Sequence, residues 1–531
     1  MKRIFRPLYL SLVFAFALSS CGSQKMISTP VENIDNLPLK TTPVAENDLK
    51  RWSHLDLVKD TIPGMSVDKT YKELIKGKKG KKVIVGIVDS GVDINHEDLK
   101  AVIWTNPKEI AGNGIDDDKN GYIDDIHGWN FLGNAVHEQL EMTRIVRKGP
   151  GTPEYDKAKA QLEEEIKGLT PQKQQLDFIL NAEKTLVNYF KKSDFTLEEV
   201  KAIPSTETSL FQAKSVFTQL LSKSTKAEFD KEIEEFKDYV YSQINYNLNV
   251  DFDGRKIVGD NPDDLNDTKY GNNNVVGPDP KEAKHGTHVA GIVAQVRGNN
   301  LGGDGVTNNA QIMTIRAVPN GDEYDKDIAL GIRYAVDNGA KVINGSFGKY
   351  YSQHKEWVID AIKYAESKDV LVVIAAGNES YDLDVTNKYP NDTYDGSPEY
   401  AKNVLIIGAL SPSYGSKVVA DFSNYGKNNV DIYAPGDQIY ATTPLNTYEY
   451  LQGTSMASPN VAGVATLIRS YYPSLTAVQV KQIIMESGTP LKNQVVIGED
   501  KHKTNFADAS KSGRIVNAYN ALLLAAKMAK K

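Results

Sequence analysis

The stretch LQGTSMASPNVAGVATLI, residues 451–468, places Ser455 at the start of an apolar, alanine-rich segment that predicts a buried helix. Gly453 and Ala457 are small enough for other backbone to pass close to this turn. A serine in the first turn of a helix lies near unpaired backbone N–H groups and the positive end of the helix dipole, which stabilise negative charge. Ser455 is therefore a candidate nucleophile. The alternative is a serine that only caps a core helix, and distant parts of the chain decide between the two.

Short apolar runs rich in β-branched residues recur along the chain, with helical stretches between several of them. The runs lie at 83–88, 342–343, 370–376, 404–409 and 430–434. Strands that alternate with helices predict an α/β fold with a mostly parallel sheet covered on both faces. In such sheets, sites form beyond the carboxyl ends of the strands. Asp89, Ser346 and Asn378 each follow a predicted strand, so we expect them to share one edge of the sheet.

A second motif, HGTHVAG at residues 285–291, opens another helix of small residues. Histidine exchanges protons near neutral pH, so His285 is a candidate general base. His288 has no third ligand of the usual metal-binding pattern nearby, and we expect it to be a packed structural residue. Asp89, His285 and Ser455 together have the chemistry of a nucleophilic site, in which the carboxylate orients the imidazole and the imidazole takes the serine proton.

Four segments, in this order along the chain, resemble the subtilisin-like serine proteases, the subtilases. They are VIVGIVDSGVDINHEDL around Asp89, HGTHVAGIVA around His285, AAGN at 375–378 and GTSMASPNVAGVA around Ser455. The resemblance implies the subtilisin-like three-layer fold. It also implies a serine endopeptidase that hydrolyses peptide bonds in proteins and peptides through an acyl-enzyme.

The resemblance assigns a role to each matching position. Asp89 would orient the imidazole, His285 would act as general base and then acid, and Ser455 would be the nucleophile. Asn378 would form the oxyanion hole with the backbone N–H of Ser455. The segment Ser346, Phe347, Gly348 would bind an extended substrate through its backbone.

Two rival functions belong to other classes. One is a scaffold built on an inactive protease fold, and the presence of all three triad residues and Asn378 argues against it. The other is an esterase or lipase with the same triad. The chain lacks the G-x-S-x-G motif around Ser455, and its order is Asp, His, Ser rather than Ser, Asp, His.

An acidic loop, GIDDDKNGYIDD at 114–125, follows the ligand spacing of an EF-hand, with Gly121 at the sharp turn. Related subtilases carry calcium in acidic loops, so we expect a structural Ca²⁺ here and no organic cofactor. His127 stands where an EF-hand carries its bidentate glutamate, and the alternative is a polar turn without metal. The predicted ligands are Asp116, Asp118, Asn120, the Tyr122 carbonyl and Asp124.

The first residues predict an export signal. Lys2, Arg3 and Arg6 precede an apolar run at 8–18 that is too short to span a bilayer. The sequence LSSC that ends at Cys21 resembles the lipobox of bacterial lipoproteins, which implies cleavage before Cys21 and acylation of that cysteine. The alternative is an ordinary signal peptide with an incidental cysteine. We therefore expect a protein anchored to a membrane of the bacterial envelope by lipid, facing the periplasm or the cell surface.

The composition limits the partners. The chain has 531 residues and a net charge of −7, so no basic surplus is present to hold phosphate backbones, and we expect no nucleic-acid partner. Cys21 is the only cysteine, which rules out an internal disulfide.

Asp89 and His285 are 196 residues apart, whereas simple subtilases separate them by only a few tens. The excess residues predict an inserted subdomain of three to five helices at the rim of the cleft. The evidence is apolar residues at helical spacing between 229 and 244 and two capping boxes, Thr196 with Glu199 and Thr225 with Glu228. Thr170-Pro171 predicts a further helix start. The predicted organisation is a signal peptide (1–20), a tether and N-terminal arm (21–81), the catalytic domain (82–133 and 251–531) and the helical insertion (134–250).

Overall fold

The computed structural model describes residues 44–530. The predicted signal peptide, Cys21 and the first part of the predicted tether, to residue 43, lie outside the described residues. Within 44–530, no helix combines the length and apolar character needed to cross a membrane.

Nine strands of the described chain form one sheet, in the order β10-β13-β7-β6-β5-β4-β1-β3-β2. All neighbours in this sheet are parallel except β10 and β13, which confirms the predicted α/β class. The other strands form the hairpins β8–β9 and β11–β12. The strands are β1 (Val83–Asp89), β2 (Gly128–Asn130), β3 (Ala310–Arg316), β4 (Val342–Gly345), β5 (Leu371–Ala375), β6 (Val404–Leu410), β7 (Ile432–Pro435), β8 (Ile439–Thr443), β9 (Thr447–Leu451), β10 (Thr489–Pro490), β11 (Gln494–Ile497), β12 (His502–Asn505) and β13 (Arg514–Ile515).

Helices cover both faces of this sheet and give the three layers. The α-helices are α1 (Glu46–Leu49), α2 (Leu57–Asp60), α3 (Val67–Glu73), α4 (Glu141–Lys148), α5 (Tyr155–Phe190), α6 (Leu197–Ala202), α7 (Phe211–Leu221), α8 (Lys226–Ser242), α9 (Arg255–Val258), α10 (Lys284–Ala294), α11 (Asp325–Asp337), α12 (Lys355–Ser367), α13 (Thr454–Tyr471), α14 (Ala477–Ser487) and α15 (Ala518–Met528). Helix α13 packs against α10 and against the central strands, while α11 and α12 pack against each other. Every residue of β4, β5, β6 and β7 is buried, which explains why these strands read as continuous apolar runs.

The interior strand β3 does not appear among the predicted strands. Its sequence, AQIMTIR, is interrupted by Gln311, Thr314 and Arg316, although all its residues but Gln311 are buried. Arg316 is only 2% exposed, and its guanidinium donates hydrogen bonds to the carbonyl oxygens of Ser90 and Ala135 and to the side chain of Asn130. These acceptors satisfy the buried cation, so a strand with a charged end can pair directly beside β1.

Residues 141–242 form five α-helices, α4 to α8, that share an apolar core separate from the core around the sheet. Both capping boxes are present, at the starts of α6 and α8. The expected helix start at Thr170-Pro171 is wrong, because Pro171 lies inside α5, a single helix of 36 residues. Pro171 is exposed, so the backbone carbonyl that loses its intrahelical donor faces water.

The described part of the N-terminal arm packs onto the core around the sheet through helices α1 to α3. Trp52 is 1% exposed and belongs to the main core, and its indole N–H lies 3.1 Å from the Asp437 carbonyl oxygen. Tyr71 is partly buried against the same core. The described part of the arm is therefore integrated into the fold.

Candidate active site

Asp89 and His285 contact each other at the site. Asp89 is the last residue of β1, and His285 is the second residue of α10. The Nδ1 atom of His285 lies 2.6 Å from Oδ1 of Asp89, which also accepts the backbone N–H of Ser90. Burial of the imidazole disfavours its protonation, but the charge and hydrogen bond of Asp89 outweigh that effect. The pKa of His285 is consequently raised above its ordinary value of 6.5.

Ser455 is the second residue of α13, as the first-turn prediction requires. Gly453 precedes the helix with φ +146°, a conformation that favours glycine. The Ser455 hydroxyl donates to the carbonyl oxygen of Ser346 at 3.2 Å, and the Ser346 hydroxyl donates to the carbonyl oxygen of Ser455 at 2.8 Å. Asp89, His285 and Ser455 all line one cavity of about 850 Å³.

Asn378 lies just beyond β5 and lines the same cavity. Its side-chain oxygen accepts hydrogen bonds from the backbone N–H of Thr454, at 2.8 Å, and from the Thr454 hydroxyl, at 3.0 Å. These contacts hold the amide beside Ser455 and leave its NH₂ group for another acceptor. Sequence reasoning did not single out Thr454, although it lies within the quoted GTSMASP motif.

The predicted substrate segment, Ser346, Phe347 and Gly348, follows β4 and lines the cavity. Strands β1, β4 and β5 are neighbours in the sheet. Asp89, Ser346 and Asn378 therefore lie at one edge, as expected from parallel strands. His288 is fully buried, and its Nε2 contacts the Glu449 carbonyl oxygen at 3.1 Å. Burial lowers the pKa of His288 to about 3, which agrees with a structural role.

The acidic loop brings together only some of the predicted ligands. Carboxylate oxygens of Asp116 and Asp118 lie within 4.8 Å of each other and of Glu109, which sequence reasoning missed because it precedes the loop. The Asp124 carboxylate instead accepts hydrogen bonds from the backbone N–H groups of residues 112, 113 and 114. Asn120 donates to Asp125 and accepts from the backbone of Tyr122.

Lys388 is another residue that sequence reasoning missed. It lines the active-site cavity, is 3% exposed, and donates a hydrogen bond to the Phe347 carbonyl oxygen at 3.1 Å. No motif marks it, because its environment arises from a loop that returns to β4 from a distant part of the chain.

Comparison with known proteins identifies a family and several relatives. The family model described as the subtilase family matches residues 80–506. A thermophilic serine proteinase from Bacillus sp. (strain AK1) is 37% identical over 274 residues, covering 51% of this chain and 58% of that protein. Thermitase from Thermoactinomyces vulgaris is 40% identical over 187 residues, covering 35% of this chain and 61% of thermitase. Subtilisin DY from Bacillus licheniformis is 36% identical over 216 residues, covering 40% of this chain and 74% of subtilisin DY.

The chain thus spans less than two-thirds of the length of the first two relatives. The family match, in contrast, extends over most of this chain and contains Asp89, His285, Asn378 and Ser455. The chain belongs to the subtilase family.

Proposed function

We propose that this protein is a serine endopeptidase, in which Asp89, His285 and Ser455 form the catalytic triad. The observation that carries the proposal is the 2.6 Å contact between Asp89 and His285 on the cavity that Ser455 also lines. The names of the relatives, a serine proteinase, thermitase and a subtilisin, support the same activity. Proteins or peptides would be the substrates.

In the first step, Ser455 Oγ attacks the carbonyl carbon of the scissile bond while its proton passes to Nε2 of His285. Asp89 holds the Nδ1–H of the imidazole and stabilises the imidazolium that forms. In this structure the Ser455 hydroxyl donates to the Ser346 carbonyl and not to His285, so it must turn toward the imidazole. Such catalytic hydrogen bonds commonly form or tighten only when substrate binds.

The oxyanion of the tetrahedral intermediate accepts hydrogen bonds from the Asn378 NH₂ group and the Ser455 backbone N–H. His285 then donates its proton to the leaving amine, and the acyl group stays on Ser455. Water, deprotonated by His285, releases the acyl group and regenerates the site.

A fluorophosphonate probe, which reacts with activated serines, tests this proposal on the full chain. We expect labelling and peptide hydrolysis by the wild type, and neither by Ser455→Ala. Ser222→Ala, which changes an exposed serine among the five helices of residues 141–242, is the matched control and should react like the wild type. Absence of labelling in the wild type would favour the inactive scaffold, and hydrolysis of simple esters without peptides would favour an esterase.

We further propose that lipid on Cys21 anchors the enzyme to the bacterial envelope, with the catalytic domain facing the periplasm or the cell surface. The support is the LSSC sequence after a positive and then apolar start. Metabolic labelling with an alkyne fatty acid should mark the wild type and not Cys21→Ser. Equal labelling of both proteins would reject the anchor.

Finally, we propose that the acidic loop binds a structural Ca²⁺ through Glu109, Asp116 and Asp118. These residues fit a hard cation, because Glu109 Oε2 is buried without a hydrogen-bond partner among the described residues and lies in the cluster of carboxylates. Ca²⁺ should raise the melting temperature of the wild type but not of Glu109→Gln. Asp117→Asn, outside the cluster, should retain the response, and a wild type with no heat of Ca²⁺ binding would reject the site.

A further inference from the structure

The wall of the cavity beside Ser455 contains the ammonium group of Lys388. A Cβ atom on Gly348 would lie 2.1 Å from Lys388 Nζ, so the glycine allows the ammonium to lie directly against the substrate segment. That segment begins at Ser346, whose carbonyl oxygen contacts the Ser455 hydroxyl. The Ser455 hydroxyl lies 3.2 Å from the Ser346 carbonyl oxygen, and the Lys388 ammonium lies 3.1 Å from the carbonyl oxygen of the next residue, Phe347. Both groups therefore contact the same short stretch of the substrate segment.

Lys388 differs from the other buried lysines of the described chain in having no carboxylate partner. Lys326 lies 2.7 Å from Asp260, Lys349 lies 2.9 Å from Glu141, and Lys481 lies 3.1 Å from Asp392. Within residues 44–530, the one hydrogen-bond acceptor of the Lys388 ammonium is the neutral Phe347 carbonyl. A buried lysine is rarely left without a counter-charge. The remaining N–H groups of Lys388 can still donate hydrogen bonds.

Among the carboxylates that line the same cavity, Glu323 and Glu379 attract the Lys388 ammonium without forming an ion pair with it. Glu379 accepts hydrogen bonds from Tyr350, from the side chain of Asn424 and from the backbone N–H of Asn378. Glu323 is 3% exposed. Burial outweighs the attraction of these two carboxylates and lowers the pKa of Lys388 to about 8. For Lys349 and Lys481, close carboxylates outweigh burial and raise the pKa.

We propose that the missing partner of Lys388 is an Asp or Glu side chain of the substrate, on the residue whose carbonyl carbon Ser455 attacks. The protease would then prefer to cut after acidic residues. This inference rests on the proposed endopeptidase activity and assigns that activity its substrate class. A carboxylate on that residue would form a charge-assisted hydrogen bond with the ammonium.

The test compares two peptides that differ only in Glu or Gln at that position, because Gln has the same shape without the charge. For the full-length wild type, we expect kcat/KM to be roughly ten-fold or more higher for the Glu peptide. Lys388→Met, which keeps the length of the side chain, should abolish the preference. Lys281→Met removes an exposed lysine from the rim of the same cavity and should retain it.

The outcomes separate this inference from the proposed function. Hydrolysis of both peptides at equal rates by the wild type would overturn the role of Lys388 and leave the endopeptidase intact. Loss of the preference in Lys281→Met, with retention in Lys388→Met, would also overturn it. If Lys388→Met does not fold, the wild-type ratio still decides. A wild type that neither hydrolyses peptides nor reacts with the fluorophosphonate would instead reject the proposed function.

Discussion

The hydrogen bond between Asp89 and His285 joins a carboxylate that is 1% exposed to an imidazole that is 39% exposed. The carboxylate is shielded from water while the ring reaches the cavity, so the charge of Asp89 acts on His285 with little screening. The same contact fixes the ring with Nε2 available for proton transfer. One residue pair therefore determines both the orientation and the proton affinity of the proposed base.

Asp89→Asn should lower kcat by about 10⁴-fold, as the equivalent change does in a characterised serine protease. It should also shift the acidic limb of the pH profile. Because only the neutral imidazole accepts a proton, the raised pKa of His285 places the wild-type limb above pH 6.5. Without the carboxylate, burial alone acts on the ring and the limb moves to lower pH. If Asp89→Asn retains some activity and the acidic limb of its pH profile does not move, Asp89 does not set the pKa of His285.

The lowered pKa of Lys388 makes a second prediction for the same cavity. The ammonium loses its proton as the pH rises through about 8, and with it the positive charge that attracts a substrate carboxylate. The ratio of kcat/KM for Glu and Gln peptides should therefore fall above pH 8. The titration of His285 cancels in this ratio, because both peptides use the same base. A ratio that stays constant from pH 6 to pH 10 would argue against the ammonium as the selective group.

At the scale of elements, an ionic cluster connects α4, the first of the five helices in residues 141–242, to the substrate segment, residues 346–348. The Glu141 carboxylate contacts Arg144 on its own helix and Lys349, which directly follows Gly348. Lys349 also lies 3.1 Å from Asp325, at the start of α11. All of these side chains are buried, so the helices that separate Asp89 from His285 in sequence brace the segment that we propose binds substrate.

Glu141→Gln should destabilise the protein by about 3–5 kcal/mol at pH 7, because it leaves Lys349 and Arg144 buried with too little negative charge. Burial opposes ionisation of Glu141, but these two cations outweigh it and hold its pKa well below its ordinary 4.5. The stabilisation is therefore present above pH 4.5 and is lost as the pH falls below that value. Thermal melting at several pH values should show the two proteins converging in acid. Glu164→Gln, on the exposed face of α5, is the control and should melt like the wild type throughout.

The elements that the sequence predicted well are those whose signal is local. Asp89, Ser346 and Asn378 follow apolar runs, and parallel strands bring their carboxyl ends to one edge without further information. The strand β3 was missed because its apolar run is interrupted, and its buried Arg316 finds acceptors far away in the chain. Pro171 was misread because its effect depends on which side of the helix faces water. Lys388 and Glu109 acquire their surroundings only through tertiary contacts, so no spacing rule marks them.

At the scale of the whole molecule, the folded unit extends beyond the family match at residues 80–506. The main apolar core includes Trp52 and Met65 from the N-terminal arm and Leu522 from α15. Asn517, the N-cap of α15, donates to the hydroxyl of Ser66, which joins the two ends of the described chain directly. The arm is therefore a structural part of the catalytic domain, and we expect it to remain on the active enzyme.

Trp52→Ala tests this expectation, because the indole fills the core and donates to the carbonyl oxygens of Asp437 and Gln438. Gln438 lines the active-site cavity, so the arm also supports a loop next to the proposed site. We expect a loss of about 3–5 kcal/mol in the free energy of unfolding, measured by denaturant titration. Phe211→Ala, which removes an aromatic ring that is 74% exposed, should change stability by no more than about 0.5 kcal/mol. If the two variants unfold alike, the arm is a passive tether, and its removal would leave the melting temperature and the activity of the catalytic domain unchanged.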